Sequence, residues 1–203
     1  MSNKEKIFNV SIDLFSRHGY DGVSIRQIAS EVGIKESSIY NHYKSKESIL
    51  NSILEFYIEE MKSNEISSTQ ANENLNVSLD YFYMAGLKLY ISKLTKPNMM
   101  KITRIILIEA YHNEKIRQFI KKEMIDGPIN GWILLFNLMK ENKLINKDAD
   151  SRQLAESFYY YGLYLLNEHF IINYPEDDRK FLEDLAVKSQ RHMKLIYDSV
   201  KIV

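Results

Sequence analysis

Along most of this chain apolar residues recur at spacings of three and four, the helical period, and strand-like alternation is rare. The pattern predicts nine helices. In the first, over 4–18, Ile7, Val10 and Leu14 form one stripe with Phe8, Ser11 and Phe15 beside it. "HGYDG" stops it, with Gly19 suited to the left-handed position after a helix end. The second lies in "SIRQIASEVG", where Ser24 and Gln27 have capping-box spacing, Ile28 and Ala29 face inward and Gly33 ends the helix. A short third helix covers about 35–41. A fourth begins near Lys46 and carries Ile49, Ile53, Phe56 and Tyr57 before the polar stretch "SNEISSTQANEN". Five more follow, over 73–93, 99–110, 115–141, 149–172 and 177–200. "DGP" at 126–128 should kink or break the seventh, and "NYPEDD" should close the eighth and cap the ninth.

The second and third helices, joined by a tight glycine-containing turn, have the spacing of a helix-turn-helix. Ile25, Ile28, Ala29, Val32, Ile34 and Ile39 supply its small core, and Ala29 is small where the two helices would cross. Glu36, Ser37, Ser38, Tyr40, Asn41 and His42 are left for solvent. Hydroxyl and amide groups there could reach base edges or phosphates in a major groove. Arg26 and Lys46 flank the short helix as phosphate candidates, and Lys35 stands at its start. Gly22 and Ser24 would bring backbone N–H groups near a phosphate at the second helix N-terminus. The competing reading is a helix-turn-helix that never touches DNA, with serine and asparagine serving only as helix-end residues.

The run "LFSRHGYDGVSIRQIASEVGIKESSIYNHYKSKESIL" resembles the TetR family of bacterial transcriptional regulators. Its "LF…GY", "IA…VG" and "IYNHYKSKESIL" pieces keep the family spacing over about a quarter of the chain. The resemblance implies that Arg26, Ser37, Ser38, Tyr40, His42 and Lys46 lie at or near DNA. It also implies that Tyr40 and His42 clamp phosphates, and that bases are read between Lys35 and Ser38. Three positions depart from the common pattern: Val23 replaces a frequent threonine, Lys35 a frequent capping serine or threonine, and Ser37 a frequent glycine. Lys35 cannot cap, so its ammonium could instead meet a phosphate or a guanine edge.

Charge narrows this expectation. The 203 residues hold 27 Lys and Arg against 27 Asp and Glu, a formal charge of zero, and residues 1–50 hold seven against six. A neutral chain does not coat nucleic acid through bulk charge, so DNA affinity must come from a few placed cations. There are no cysteines, which excludes disulfides and thiolate chemistry. "WILLF" and similar apolar runs are too short to span a bilayer, and "MSNKEKIF" offers no signal-peptide apolar segment. The expectation is a cytoplasmic protein with no membrane partner.

One short recognition helix reads few base pairs, so such modules act as two-fold dimers on paired half-sites. The last two helices carry doubled apolar faces, and Phe158, Gly162, Leu166, Leu182, Ala186, Ser189 and Met193 are the expected dimer residues. The alternative is a single internal core. Ten of the fourteen tyrosines lie beyond the fourth helix. Hydroxyls around an apolar space suit a ligand pocket, with Tyr83, Tyr111, Trp132 and Tyr160 as candidate lining residues for a small apolar or aromatic effector. Glu109, His112, His169 and His192 are the metal-capable residues, but no nucleophile elbow, phosphate loop or His-Glu-x-x-His run accompanies them. No enzyme, metal or cofactor is therefore expected. The reading is all-α: a helix-turn-helix DNA-binding domain over 1–46, and a helical effector-binding and dimerisation domain over 47–203. It makes the chain a repressor released from a palindromic operator by its effector. The alternative is a helical ligand-binding or protein-interaction protein without specific DNA binding.

Overall fold

The computed structural model describes residues 1–63, 69, 73, 79–173 and 177–202, with residues 79–82 described by their backbone. The described residues are almost wholly helical. The helices are α1 Asn3–His18, α2 Ile25–Val32, α3 Glu36–Ile39, α4 Lys46–Lys62, α5 Leu79–Leu94, α6 Met99–Glu109, α7 Glu114–Phe119, α8 Gly127–Glu141, α9 Ser151–Asn167 and α10 Asp178–Val200. The expected start of the fifth helix, at 74–78, and residues 174–176 of "NYPEDD" lie outside the described residues.

Local chemistry sets most helix boundaries. Capping boxes open α1 at Ser2, α2 at Ser24 and α4 at Ser45, while Asp150 and Asp177 accept backbone N–H groups at the starts of α9 and α10. Gly33 ends α2 in the left-handed region, at φ 76° and ψ 34°. Gly19 departs from the expected left-handed geometry: its φ is 72° but its ψ is 165°, a region open essentially to glycine alone. Gly22 answers a different need, because a Cβ there would sit 2.4 Å from the His18 carbonyl oxygen.

The predicted seventh and eighth helices are more divided than their periodicity suggests. A π-helical stretch, Ile120–Asp126, joins α7 to α8, where Pro128 falls in the first turn. A second, Glu168–Ile172, extends α9.

The chain forms two compact units: Met1–Asn64 with Ser92–Gln118, and Glu65–Ile91 with Phe119–Val203. In the first unit Ile7, Ile12, Phe15, Ile28, Ile39, Ile49, Ile53, Ile102 and Ile105 are fully buried. This core fixes α2 and α3 against α1. In the second unit the core gathers Tyr83, Ile129, Phe136, Met139, Ile145, Ala155, Phe158, Met193 and Ile196. No described helix is long and apolar enough to cross a membrane.

Candidate nucleic-acid interface and ligand cavity

In the helix-turn-helix, Ile28, Ala29 and Ile39 are buried while Ile25, Val32 and Ile34 are half-buried. Val23, which stands in place of a frequent threonine, is buried at 2% exposure and acts as an anchor. The polar residues on the other side are left open. Arg26, Lys35, Glu36, Ser37, Asn41 and His42 are exposed, Tyr40 is half exposed at 51%, and Ser38 is half-buried. Ser24 is exposed too, but its hydroxyl is engaged in the capping box, accepting from the Gln27 N–H at 3.2 Å and donating to Gln27 Oε1 at 2.9 Å. Lys35 opens α3 with no side-chain cap. Lys44, in the same short segment, is exposed and was not among the sequence candidates.

Lys46 has work inside the protein. Its ammonium donates to the Tyr20 carbonyl at 2.8 Å and the Val23 carbonyl at 2.9 Å, and lies 4.0 Å from the centre of the Tyr20 ring. Both carbonyls belong to the loop that delivers the chain into α2. The same loop is held from another side: the Tyr20 N–H donates to Glu109 Oε1 at 2.7 Å. Glu109 ends α6 and is 6% exposed, so its carboxylate is spent on this bond rather than on His112, the neighbour three residues on. The loop is therefore clamped by a cation from α4 and a carboxylate from α6. Nothing at short range in the sequence announces either contact.

Burial raises the pKa of the Tyr20 and Tyr43 hydroxyls, and pushes that of Tyr57 up to about 12. Desolvation of the phenolate is the leading cause in each case. These phenols stay neutral at working pH.

The second unit contains a cavity of about 830 Å³ between α5, α8, α9 and α10, within the usual size range for small-molecule sites. Tyr83, Trp132, Phe158, Tyr159, Leu163 and Leu185 line it, with Asn137, Glu141 and Ser189 among the polar lining groups. Trp132 and Phe158 rings lie 4.3 Å apart, and Tyr83 meets Phe158 edge-on at 5.8 Å. Burial pushes the Tyr83 hydroxyl up to about 12. The Tyr159 hydroxyl donates to the Met124 carbonyl in the π-helical stretch. Among the described residues no lysine or arginine lines the cavity.

Two of the four expected pocket residues, Tyr83 and Trp132, are among those lining the cavity. Tyr111 is not, since it follows the end of α6 in the first unit at 84% exposure; Tyr160 is 48% exposed and lies outside the lining. Most of the expected dimer residues are covered within the single chain. Phe158, Leu166, Leu182, Ser189 and Met193 are all buried within the single chain, and Gly162 and Ala186 are half-buried. Phe158, Gly162, Leu166 and Ser189 line the cavity, and Met193 joins the core. Gly162 and Ala186 keep part of their surface open, and a Cβ added at Gly162 would meet nothing within 4 Å. The large apolar residues left outward are Tyr160, Tyr164, Ile171 and Ile172 on α9 and its extension, with Val187 and Leu195 on α10.

The histidines have separate local partners. His169 Nε2 lies 2.9 Å from Asp178 Oδ1 with its ring stacked on Phe181, and His192 meets the Ser157 carbonyl and stacks on Tyr161. Among the described residues no three metal-capable side chains gather.

An anchored helix-turn-helix with an open polar face defines the class of a DNA-docking module. Residues 7–53 match the family described as bacterial regulatory proteins, tetR family. That match takes in most of α1, the whole of α2 and α3, and the first part of α4. It is 47% identical over 55 residues to the HTH-type transcriptional regulator YerO of Bacillus subtilis (strain 168), covering 27% of this chain and 19% of that protein. It is 38% identical over 80 residues to the IcaR negative transcriptional regulator of the biofilm operon icaADBC in Staphylococcus aureus (strain Newman), covering 39% and 41%. The matched part thus spans well under half the length of these relatives. The fold extends further. A transcriptional regulator from Aquifex aeolicus VF5 superposes with a TM-score of 0.66 at 22% identity over 96% of this chain and 99% of its own. A TetR family regulator from Pseudomonas syringae pv. tomato str. DC3000 superposes with a TM-score of 0.67 at 15% identity over 100% and 99%.

Proposed function

We propose that this protein is a homodimeric repressor that leaves a palindromic operator when a small apolar or aromatic effector fills the cavity of its second unit. The observation that carries the reading is the pairing of two features in one chain: an anchored helix-turn-helix with an open polar face, and an apolar cavity of about 830 Å³. Residues 1–46 are the DNA-binding domain and 47–203 the effector-binding and dimerisation domain. Arg26, Tyr40, His42 and the additional Lys44 contact phosphates, and the segment from Lys35 to Ser38 meets base edges. Lys46 and Glu109 hold the loop before α2, so Lys46 acts chiefly as a positioning residue. Repression rather than activation is favoured because IcaR is named a negative regulator.

The dimer forms through the outward apolar residues of α9 and α10. Tyr160, Tyr164 and Leu195 are each about half exposed or more in the single chain, and two copies would bury them. The cavity favours a neutral or cationic apolar effector, because among the described residues Glu141 lines it and no basic side chain does. The effector acts by preferring the released state. Among the described residues the chain passes between the units within α5 and at the end of α7, and these segments carry the change.

The zero formal charge supports a second reading, a ligand-binding protein without specific DNA contact. Selection of bound duplexes from a random pool separates the two. A palindromic winner supports repression at an operator, and a pool that never narrows sinks it.

A further inference from the structure

We infer that Glu36 is a specificity-determining residue whose carboxylate accepts a hydrogen bond from a base amino group, cytosine N4, at one position of each operator half-site. This rests on the DNA-binding reading above and adds to it the chemistry that selects the sequence. Glu36 is exposed at the first position of α3. Among the described residues no hydrogen bond or ion pair reaches its carboxylate, not even from neighbouring Lys35 or from Arg26. It shares its surface with Arg26, Lys35, Tyr40, Asn41, His42 and Lys44, nearly all of which can donate to phosphate oxygens.

A bare carboxylate is out of place on such a face. Brought near the backbone it repels phosphates, and the repulsion grows as water is squeezed out. No partner on the protein neutralises it, and α3 is too short, at four residues, to gain much from an acidic first turn. What can satisfy the carboxylate in a major groove is a donor on a base edge. Cytosine offers its N4 amino group with no acceptor beside it on the same base, whereas adenine offers N6–H next to the N7 acceptor, which a carboxylate cannot serve. Glutamate therefore favours cytosine, and an amide in its place, which donates and accepts, favours adenine. A residue of this kind lowers affinity for DNA in general while sharpening the choice of sequence. That combination suits a neutral chain with few cations.

The test is selection from a random duplex pool with the full-length wild type, Glu36→Gln and Glu36→Ala, followed by titration on the winning duplex, on its single-base variants and on an unrelated duplex. The wild type should select a cytosine at one symmetrical position, discriminating against other bases by roughly 5- to 100-fold. Glu36→Gln should move the preference at that position to adenine. Glu36→Ala should erase it, and both variants should bind unrelated duplex more tightly than the wild type does. Identical selected sequences for all three proteins, or uniform weakening by both substitutions, would overturn the inference while leaving DNA binding intact. A wild type that selects no sequence would overturn the DNA-binding reading beneath it as well. Glu36 is exposed, so unchanged thermal melting of both variants is expected and separates these outcomes from misfolding.

Discussion

Replacing Lys46 with methionine keeps the aliphatic stem and removes the ammonium. In the structure that ammonium makes two charge-assisted hydrogen bonds, at 2.8 Å to the Tyr20 carbonyl and 2.9 Å to the Val23 carbonyl, above the Tyr20 ring at 4.0 Å. Bonds to charged groups contribute about 1.5–3 kcal/mol each, and the ring contact adds about 0.5–1 kcal/mol. The full sum does not apply, because Lys46 is half-buried and water can replace part of what is lost. The Tyr20 carbonyl also keeps the Val23 N–H at 3.3 Å. A loss of about 2–3 kcal/mol is expected, which for a chain of this size lowers Tm by roughly 5–10 °C. Operator affinity should fall too, since the loop before α2 is no longer held, but the dependence of log Kd on log salt should keep its slope. A residue that neutralised one phosphate would instead lower that slope by about 0.9 unit, or twice that in a dimer on two half-sites. Thermal melting and binding titrations across a salt series measure both quantities. An unchanged Tm with a reduced slope would refute the clamp and return Lys46 to the phosphate backbone.

Glu109→Leu should leave the Tyr20 N–H without its acceptor and cost about 1–3 kcal/mol, while Glu109→Gln retains an oxygen and should cost much less; equal denaturation midpoints for the two variants would contradict the assignment. Leu195→Arg puts a charge on a residue that is 68% exposed in the single chain, so it should leave folding intact yet yield monomers in sedimentation and lose palindrome binding, because burying an unpaired charge at an interface costs several kcal/mol in order of magnitude. A wild type that sediments as a monomer at micromolar concentration would reject the dimer. An apolar aromatic compound in the cavity should quench Trp132, the one tryptophan in the chain, and release DNA over the same concentration range, since coupling between sites is reciprocal. Quenching without release would separate the cavity from regulation.

The sequence by itself determined the features whose causes lie within a few residues. The capping box at Ser24 and Gln27, the stop at Gly33 and the α2–α3 spacing are local, because capping and helical periodicity act over one or two turns. The open residues from Lys35 to His42 were legible for the same reason: once Ile39 is known to face inward, its neighbours on a short helix are left outside. Tertiary structure decided what depends on distant partners. Lys46 reads as a surface cation until the Tyr20 and Val23 carbonyls, 26 and 23 residues away, close on it, and Glu109 reads as one of the metal-capable residues until it meets Tyr20, 89 residues away. On α9 an apolar stripe marks a residue as buried without naming what buries it. Phe158, Gly162 and Leu166 therefore looked as fit for a second copy as for the cavity they line, and only the packing of α5, α8 and α10 against them turned that face inward and left Tyr160 and Tyr164 outside.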